Sequence, residues 1–227
     1  SSTLITRGIL NLSQRNGKSN PEAMIPGKVV EVMVELNHTA YVVPKGHKLR
    51  LAVSTSYWPI AWPAPTNTCL TIYSGLSLLK LPVLGKNATT EALTDFSKNT
   101  LEEEDPTTTM REFRHNRKFS FDTKQNLNVL EIKADNGKMK IKENGIEIGS
   151  KSLYRFSIGE SDPLSAIAEY EWEWEYGRDN WQTKTHTYTR ITSDLNHFYL
   201  YAVLIAWENN KQVLKKVWDE QFKRDHF

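Results

Sequence analysis

The side chains able to do chemistry are scattered along this chain rather than clustered. A serine hydrolase needs an exposed nucleophile, a base beside it and an acid that orients the base. The nearest string to a nucleophile elbow is Ser74-Gly75-Leu76-Ser77. It lacks the second glycine and lies between short strand candidates, not at a strand-to-helix turn. His38, His47, His115, His186, His197 and His226 are spread widely, and none has a second His or Cys at a metal-ligand spacing. Glu171, Glu173 and Glu175 form a row, but carboxylates at alternate positions read as a solvated sheet face, not as the opposed pair of a glycosidase. No glycine-rich phosphate loop is present. Cys69 is the single cysteine, which excludes an internal disulfide and a Cys-based zinc site. Its neighbours Leu70 and Ile72 predict a buried strand thiol. No catalytic residue, no metal and no cofactor is expected from these groups.

Two aromatic features could bind rather than react. In Ser56–Pro65, SYWPIAWPAP, each proline restricts the residue before it to extended backbone and cannot donate to a sheet. Tyr57, Trp58 and Trp62 are therefore held nearly rigid, either as a cap on a core or interface, or as a ledge for a flat ligand. Trp172 and Trp174 sit on one side of EWEWEY and face either a core or a cavity. Just upstream, Gly46 and His47 mark a turn, with His47 read as a structural histidine that bonds loop backbone.

The elements that must hold these groups are strands. Val30, Val32, Val34 and Leu36 alternate with Glu31 and Glu35, and Leu49, Leu51 and Val53 alternate with Lys48, Arg50 and Ala52. Thr3–Leu12, Cys69–Tyr73 and Leu78–Val83 read as further strands. The polar stretch 86–126 reads as a connector. The pairs Asn136-Gly137 and Asn144-Gly145 predict hairpins between Leu127–Ala134, Met139–Ile141 and Ile146–Ile148. Leu153–Ile158 follows as a strand, then a capped single turn at Ser161–Leu164. Four long strands follow at Ala168–Tyr176, Trp181–Ile191, Phe198–Trp207 and Gln212–Trp218. The Glu row of EWEWEY is expected to pair with Lys184 and Arg190 of QTKTHTYTR. The fold class is all-β. A partial jelly-roll-like antiparallel sandwich occupies 1–85, the connector 86–126, and a second antiparallel sheet or half-barrel 127–227.

Composition narrows the partners. The chain has 227 residues, 39% hydrophobic and 25% charged, with a net charge of +2 and no basic stripe. Nucleic acid is not an expected partner. The longest apolar run, Phe198–Trp207, is too short for a spanning helix, and no membrane partner is expected. The lone cysteine fits a cytoplasmic location. The chain opens on Ser1 rather than Met, which reads as a processed or trimmed piece of something longer.

The strings TRGILNLSQRN (Thr6–Asn16), PGKVVEVMVEL (Pro26–Leu36), VPKGHKLRLAVSTSYWPIAWPAP (Val43–Pro65) and LSLLKLPV (Leu76–Val83) resemble the C-terminal domain of one α/β-hydrolase family. That family contains X-prolyl dipeptidyl-peptidases, cocaine esterase and α-amino-acid ester hydrolases. SDPLSA (Ser161–Ala166), RDNW (Arg178–Trp181), ITSD…F (Ile191–Phe198) and KVWDEQFKRD (Lys216–Asp225) resemble an extra β region of longer members. The resemblance implies a galactose-binding-like jelly roll behind a catalytic domain that carries a Ser-Asp-His triad. No position here matches the triad, so no catalytic residue carries over. The sandwich's first strands, which precede the G-x-L segment in such proteins, are expected to be absent. The extra β region, another copy or the parent hydrolase would then cover the open edge.

Two readings follow. The first is a non-catalytic accessory β-domain of a serine hydrolase acting on peptides, esters or amides. Its partner is the upstream catalytic domain or a second copy in a homodimer. The second is a free-standing jelly roll that stacks a carbohydrate or other flat ligand on Trp58, Trp62 or the Trp172/Trp174 row. A hydrolase with an unrecognised site is a third reading, and no nucleophile–base pair supports it.

Overall fold

A computed structural model describes residues 2–85 and 106–225. Eight strands follow in chain order: β1 Thr107–Arg111, β2 Arg114–Asp122, β3 Leu127–Ile141, β4 Glu147–Gly159, β5 Asp162–Arg178, β6 Trp181–Ser193, β7 His197–Glu208 and β8 Lys211–Lys223. They form one antiparallel sheet in the order β1-β3-β4-β5-β6-β7-β8, with β2 also paired to β3. The chain is all-β, as its alternation predicts.

Local turn chemistry builds this sheet. Residues that tolerate left-handed backbone sit at the hairpins: Asn126 (φ 56°), Gly145 (71°), Ser161 (60°), Asp179 (52°), Asn209 (44°) and Asn210 (66°). The β6–β7 turn closes instead on Asp194, whose carboxylate accepts the N–H groups of Asn196 and His197, both at 2.7 Å. The register then sorts side chains by face. Trp172 lies opposite Ser152 and Thr187, and Trp174 opposite Ser150 and Thr185. Glu175 lies opposite Lys184, and Glu169 opposite Arg190. One face of the sheet is thus aromatic and the other charged. The smallest residues pack most tightly: Ala166 is 0% exposed and Ala168 2%.

The expected strands from Ala168 to Trp218 all lie inside β5–β8. Asn144-Gly145 forms the β3–β4 hairpin, with the Gly145 N–H on the Ile141 carbonyl at 2.8 Å. Three expectations are corrected. Asn136-Gly137 is no hairpin: β3 runs through it with a register shift between Asp135 and Lys138. The Asp135 carboxylate and Arg111 pin this bulge, and a Cβ on Gly137 would meet the Arg111 carbonyl at 2.7 Å. Ser161–Leu164 is no helical turn: Asp162 already opens β5, and Ser161 belongs to the hairpin. β1 and β2 fall inside the stretch read as connector, so the sheet starts at Thr107. Residues 86–105 of that stretch lie outside the described residues.

Residues 2–85 are built differently. They hold two 3-10 turns, Leu12–Gln14 and Ser74–Leu76, and no strand. The strands expected at Thr3–Leu12, Val29–Leu36, Leu49–Val53, Cys69–Tyr73 and Leu78–Val83 form no ladder, because no segment among the described residues supplies their backbone partners. One short approach exists: the Asn37 N–H donates to the Arg7 carbonyl at 2.9 Å, and the Thr6 hydroxyl to the Asn37 carbonyl at 2.6 Å. Gly8 permits it, since a Cβ there would lie 2.2 Å from the Glu35 carbonyl oxygen. The alternating aliphatics Val32, Val34, Leu49, Leu51 and Val53 are exposed, and so is Cys69, against its expected burial.

Candidate functional site

The best-packed polar and aromatic junction joins the Trp-Pro loop to one end of the sheet's aromatic face. The loop folds back on itself through the Tyr57 carbonyl, which accepts the N–H groups of Ile60 (2.9 Å) and Ala61 (3.0 Å). The Trp58–Pro59 peptide is cis. The two indoles meet edge to face, with centroids 5.1 Å apart and planes at 89°. Trp58 then meets Phe156 of β4 at 6.0 Å, and Trp62 meets Phe198 of β7 at 5.6 Å. The Trp62 Nε1–H donates to Ser193 Oγ at 3.0 Å.

Arg224, just past β8, closes the junction. It is 3% exposed. Its guanidinium donates to Ser193 Oγ (2.9 Å), the Asp194 carbonyl (3.1 Å) and the Pro63 carbonyl (2.8 Å), and lies 4.7 Å over the Phe198 ring. Burial pulls Arg224 below the usual arginine range, and the Asp194 charge partly opposes that. Asp194 is held down at about 2, first by the Tyr199 hydroxyl and then by the Asn196 and His197 N–H groups. A second tie lies beside it, where Asn67 Nδ2 donates to the Ser161 carbonyl at 2.7 Å.

The other aromatic candidates belong to the same face. From Trp58 and Phe156 the rings continue through Tyr170 and Tyr154 to Trp172, at centroid spacings of 5.5, 5.6 and 5.8 Å. Trp172, Trp174 and Tyr176 follow as near-parallel rings spaced 5.8 and 6.0 Å. The loop covers the first end of this line and leaves Trp174 38% exposed at the other. The structure therefore brings Trp58 and Trp62 together, and ties them to Trp172 and Trp174 through intervening rings. Tyr57 lies outside the line, 40% exposed, under the Arg7 guanidinium at 5.5 Å. Gly46 and His47 stand apart in a turn, with Gly46 at φ 86° and the His47 N–H on the Pro44 carbonyl. Sequence reasoning missed Arg224 and Ser193. The KRD string was visible, but nothing in it signals a partner more than a hundred positions away.

The charged face has a groove of about 570 Å³ lined by Arg114, Lys133, Asp135, Lys151, Glu171, Glu173 and His186, among others. Its charges serve one another: Glu173 pairs with Lys184 at 2.5 Å and Lys151 at 3.5 Å. Burial would raise the Glu173 carboxyl, but its lysine partners outweigh that and hold it below its ordinary value. Nothing in this groove pairs a nucleophile with a base. Among the described residues, no group of three or more His, Cys, Asp or Glu side chains could hold a metal.

Comparison with known proteins matches residues 1–121 to a family model described as the X-Pro dipeptidyl-peptidase C-terminal non-catalytic domain. No curated protein and no solved structure matches the chain.

Proposed function

This chain belongs to the family of X-Pro dipeptidyl-peptidase C-terminal non-catalytic domains, and from that premise we propose that it is the accessory β module of a serine hydrolase acting on X-prolyl peptides, esters or amides. In this reading residues 1–85 are a partial jelly roll, and the antiparallel region behind it is a brace. The module stabilises the catalytic unit, sets its assembly and helps shape the pocket wall. It supplies no catalytic residue, metal or cofactor.

The observation that carries the reading is the uncovered aliphatic surface of residues 2–85. Val32, Val34, Leu49, Leu51 and Val53 all stand exposed there, Leu51 at 63%. Valines and leucines in alternating rows, exposed yet unladdered, are what a segment shows when its second layer belongs to another unit. The family's description as a C-terminal non-catalytic domain supports an upstream catalytic domain as that unit, and in this reading it is an α/β-hydrolase. The engagement of Trp58 and Trp62 with Phe156 and Phe198 favours this role over a ligand ledge, because both indoles already pack on protein.

The test has two arms. The isolated chain is assayed with an X-prolyl p-nitroanilide and an aryl ester, where no turnover is expected. The chain is then mixed with the α/β-hydrolase unit encoded upstream of it, where a stable complex with raised thermal stability is expected. Turnover by the chain alone, or no association with that unit, would overturn the proposal.

A further inference from the structure

β8 is a free margin of the sheet. It pairs with β7 and with no other strand among the described residues, and twelve of its thirteen positions are exposed. An exposed edge of this length is a template for another strand, and lysines on an edge ordinarily repel one. β8 carries Lys215 and Lys216, but Asp219 and Glu220 follow them at a spacing that makes the strand complementary to itself.

Pairing across a two-fold axis normal to the sheet sets residues of the same face opposite one another. The axis must therefore pass through a residue position, and only a few registers exist. Centred on Lys215, Lys216, Asp219 or Glu220, the strand sets that charge against itself. Centred on Val217, it opposes Lys215 to Asp219 twice but also Lys211 to Lys223 twice, and registers centred at Leu214 or earlier, or at Gln221 or later, overlap seven residues of β8 or fewer. Centred on Trp218, it opposes Lys216 to Glu220 twice, Leu214 to Phe222 twice, and the two Trp218 rings to each other. No like charges meet in that register.

We propose that β8 pairs with β8 of a second copy, antiparallel and centred on Trp218, so that two eight-stranded sheets become one continuous sheet. This goes beyond the accessory role and does not depend on it. Inside one chain, Lys216 lies opposite Leu204 and Glu220 opposite Leu200. Neither charge has an ionic partner across β7; Lys216 Nζ lies 4.7 Å over the Trp218 ring of its own strand, a contact that E220K leaves in place, so E220K reports on the contact between copies and not on the fold of one.

The test is analytical ultracentrifugation of the full chain and three variants, with far-UV circular dichroism to verify folding. The wild type is expected to be a dimer. K216E and E220K each turn two attractive cross-strand pairs into repulsive ones and should weaken dimerisation by about tenfold or more. K216E/E220K restores the complement and should restore the dimer. A monomeric wild type would overturn the proposal. So would a dimer that all three variants leave unchanged, as association through residues 2–85 would give. A double variant no stronger than the singles would overturn the register.

Discussion

Val29–Leu36 and Ala168–Tyr176 carry the same alternation of apolar and charged residues, yet only the second lies in a sheet. The difference is in what surrounds them. Each strand from β2 to β7 is followed by a turn of a few residues, so its partner arrives at small loop-closure cost. Residues 2–85 have no such turns between matched strands. They hold Pro21, Pro26, Pro44, Pro59, Pro63, Pro65 and Pro82, each of which removes a ladder donor. Alternation decides which way side chains point, while pairing also requires a neighbour that the chain can bring alongside. The sheet satisfies that need within itself, and residues 2–85 leave it open.

The comparison breaks most readily at the junction between the two regions. Replacing both Trp58 and Trp62 by alanine should cost about 3–5 kcal/mol in chemical denaturation. An unchanged midpoint would mean that the loop is not anchored. Arg224→Ala should cost about 2–3 kcal/mol, since Ser193 Oγ and the Pro63 and Asp194 carbonyls lose a charged donor. Arg224→Lys should recover only part of this, because one ammonium cannot reach all three acceptors.

Within the sheet, a pH titration sharpens the contrast. Asp194 is depressed to about 2, so the stability it contributes is present above its unfolded value of about 4 and is lost as the pH falls toward 2. Asp194→Asn should therefore lose part of the wild type's decline between about pH 4 and pH 2 in thermal melts. Asp135, Glu147 and Glu173, also held low, keep the remainder. Identical pH profiles for wild type and variant would remove Asp194 from the account. The smallest effect is expected at Gly8→Ala. It should separate Arg7 from Asn37 and raise amide exchange at Asn37, with the global melting temperature nearly unchanged, because this approach is isolated from the sheet.

The C-terminal sheet was readable because its signals are local. EWEWEY and QTKTHTYTR alternate cleanly, and Asn144-Gly145 marks its own hairpin. Asn136-Gly137 misled because a bulge and a hairpin use the same left-handed glycine, and the partner that decides between them, Arg111, is remote in sequence. The Trp-Pro loop was legible as a rigid aromatic object, but not its seat. Phe156, Phe198, Ser193 and Arg224 come to it only through the register of four strands. The strands expected in residues 2–85 failed for the complementary reason: their pattern is right for a face, and no partner among the described residues completes it.

Amide hydrogen exchange across the whole isolated chain tests the central claim most directly. Slow exchange is expected through the inner strands β3–β7, together with near-unprotected exchange along Val29–Leu36 and Leu49–Val53. Ladder-grade protection in those two segments would mean that residues 2–85 complete their own sheet, and would contradict an accessory module that depends on another unit for its second layer.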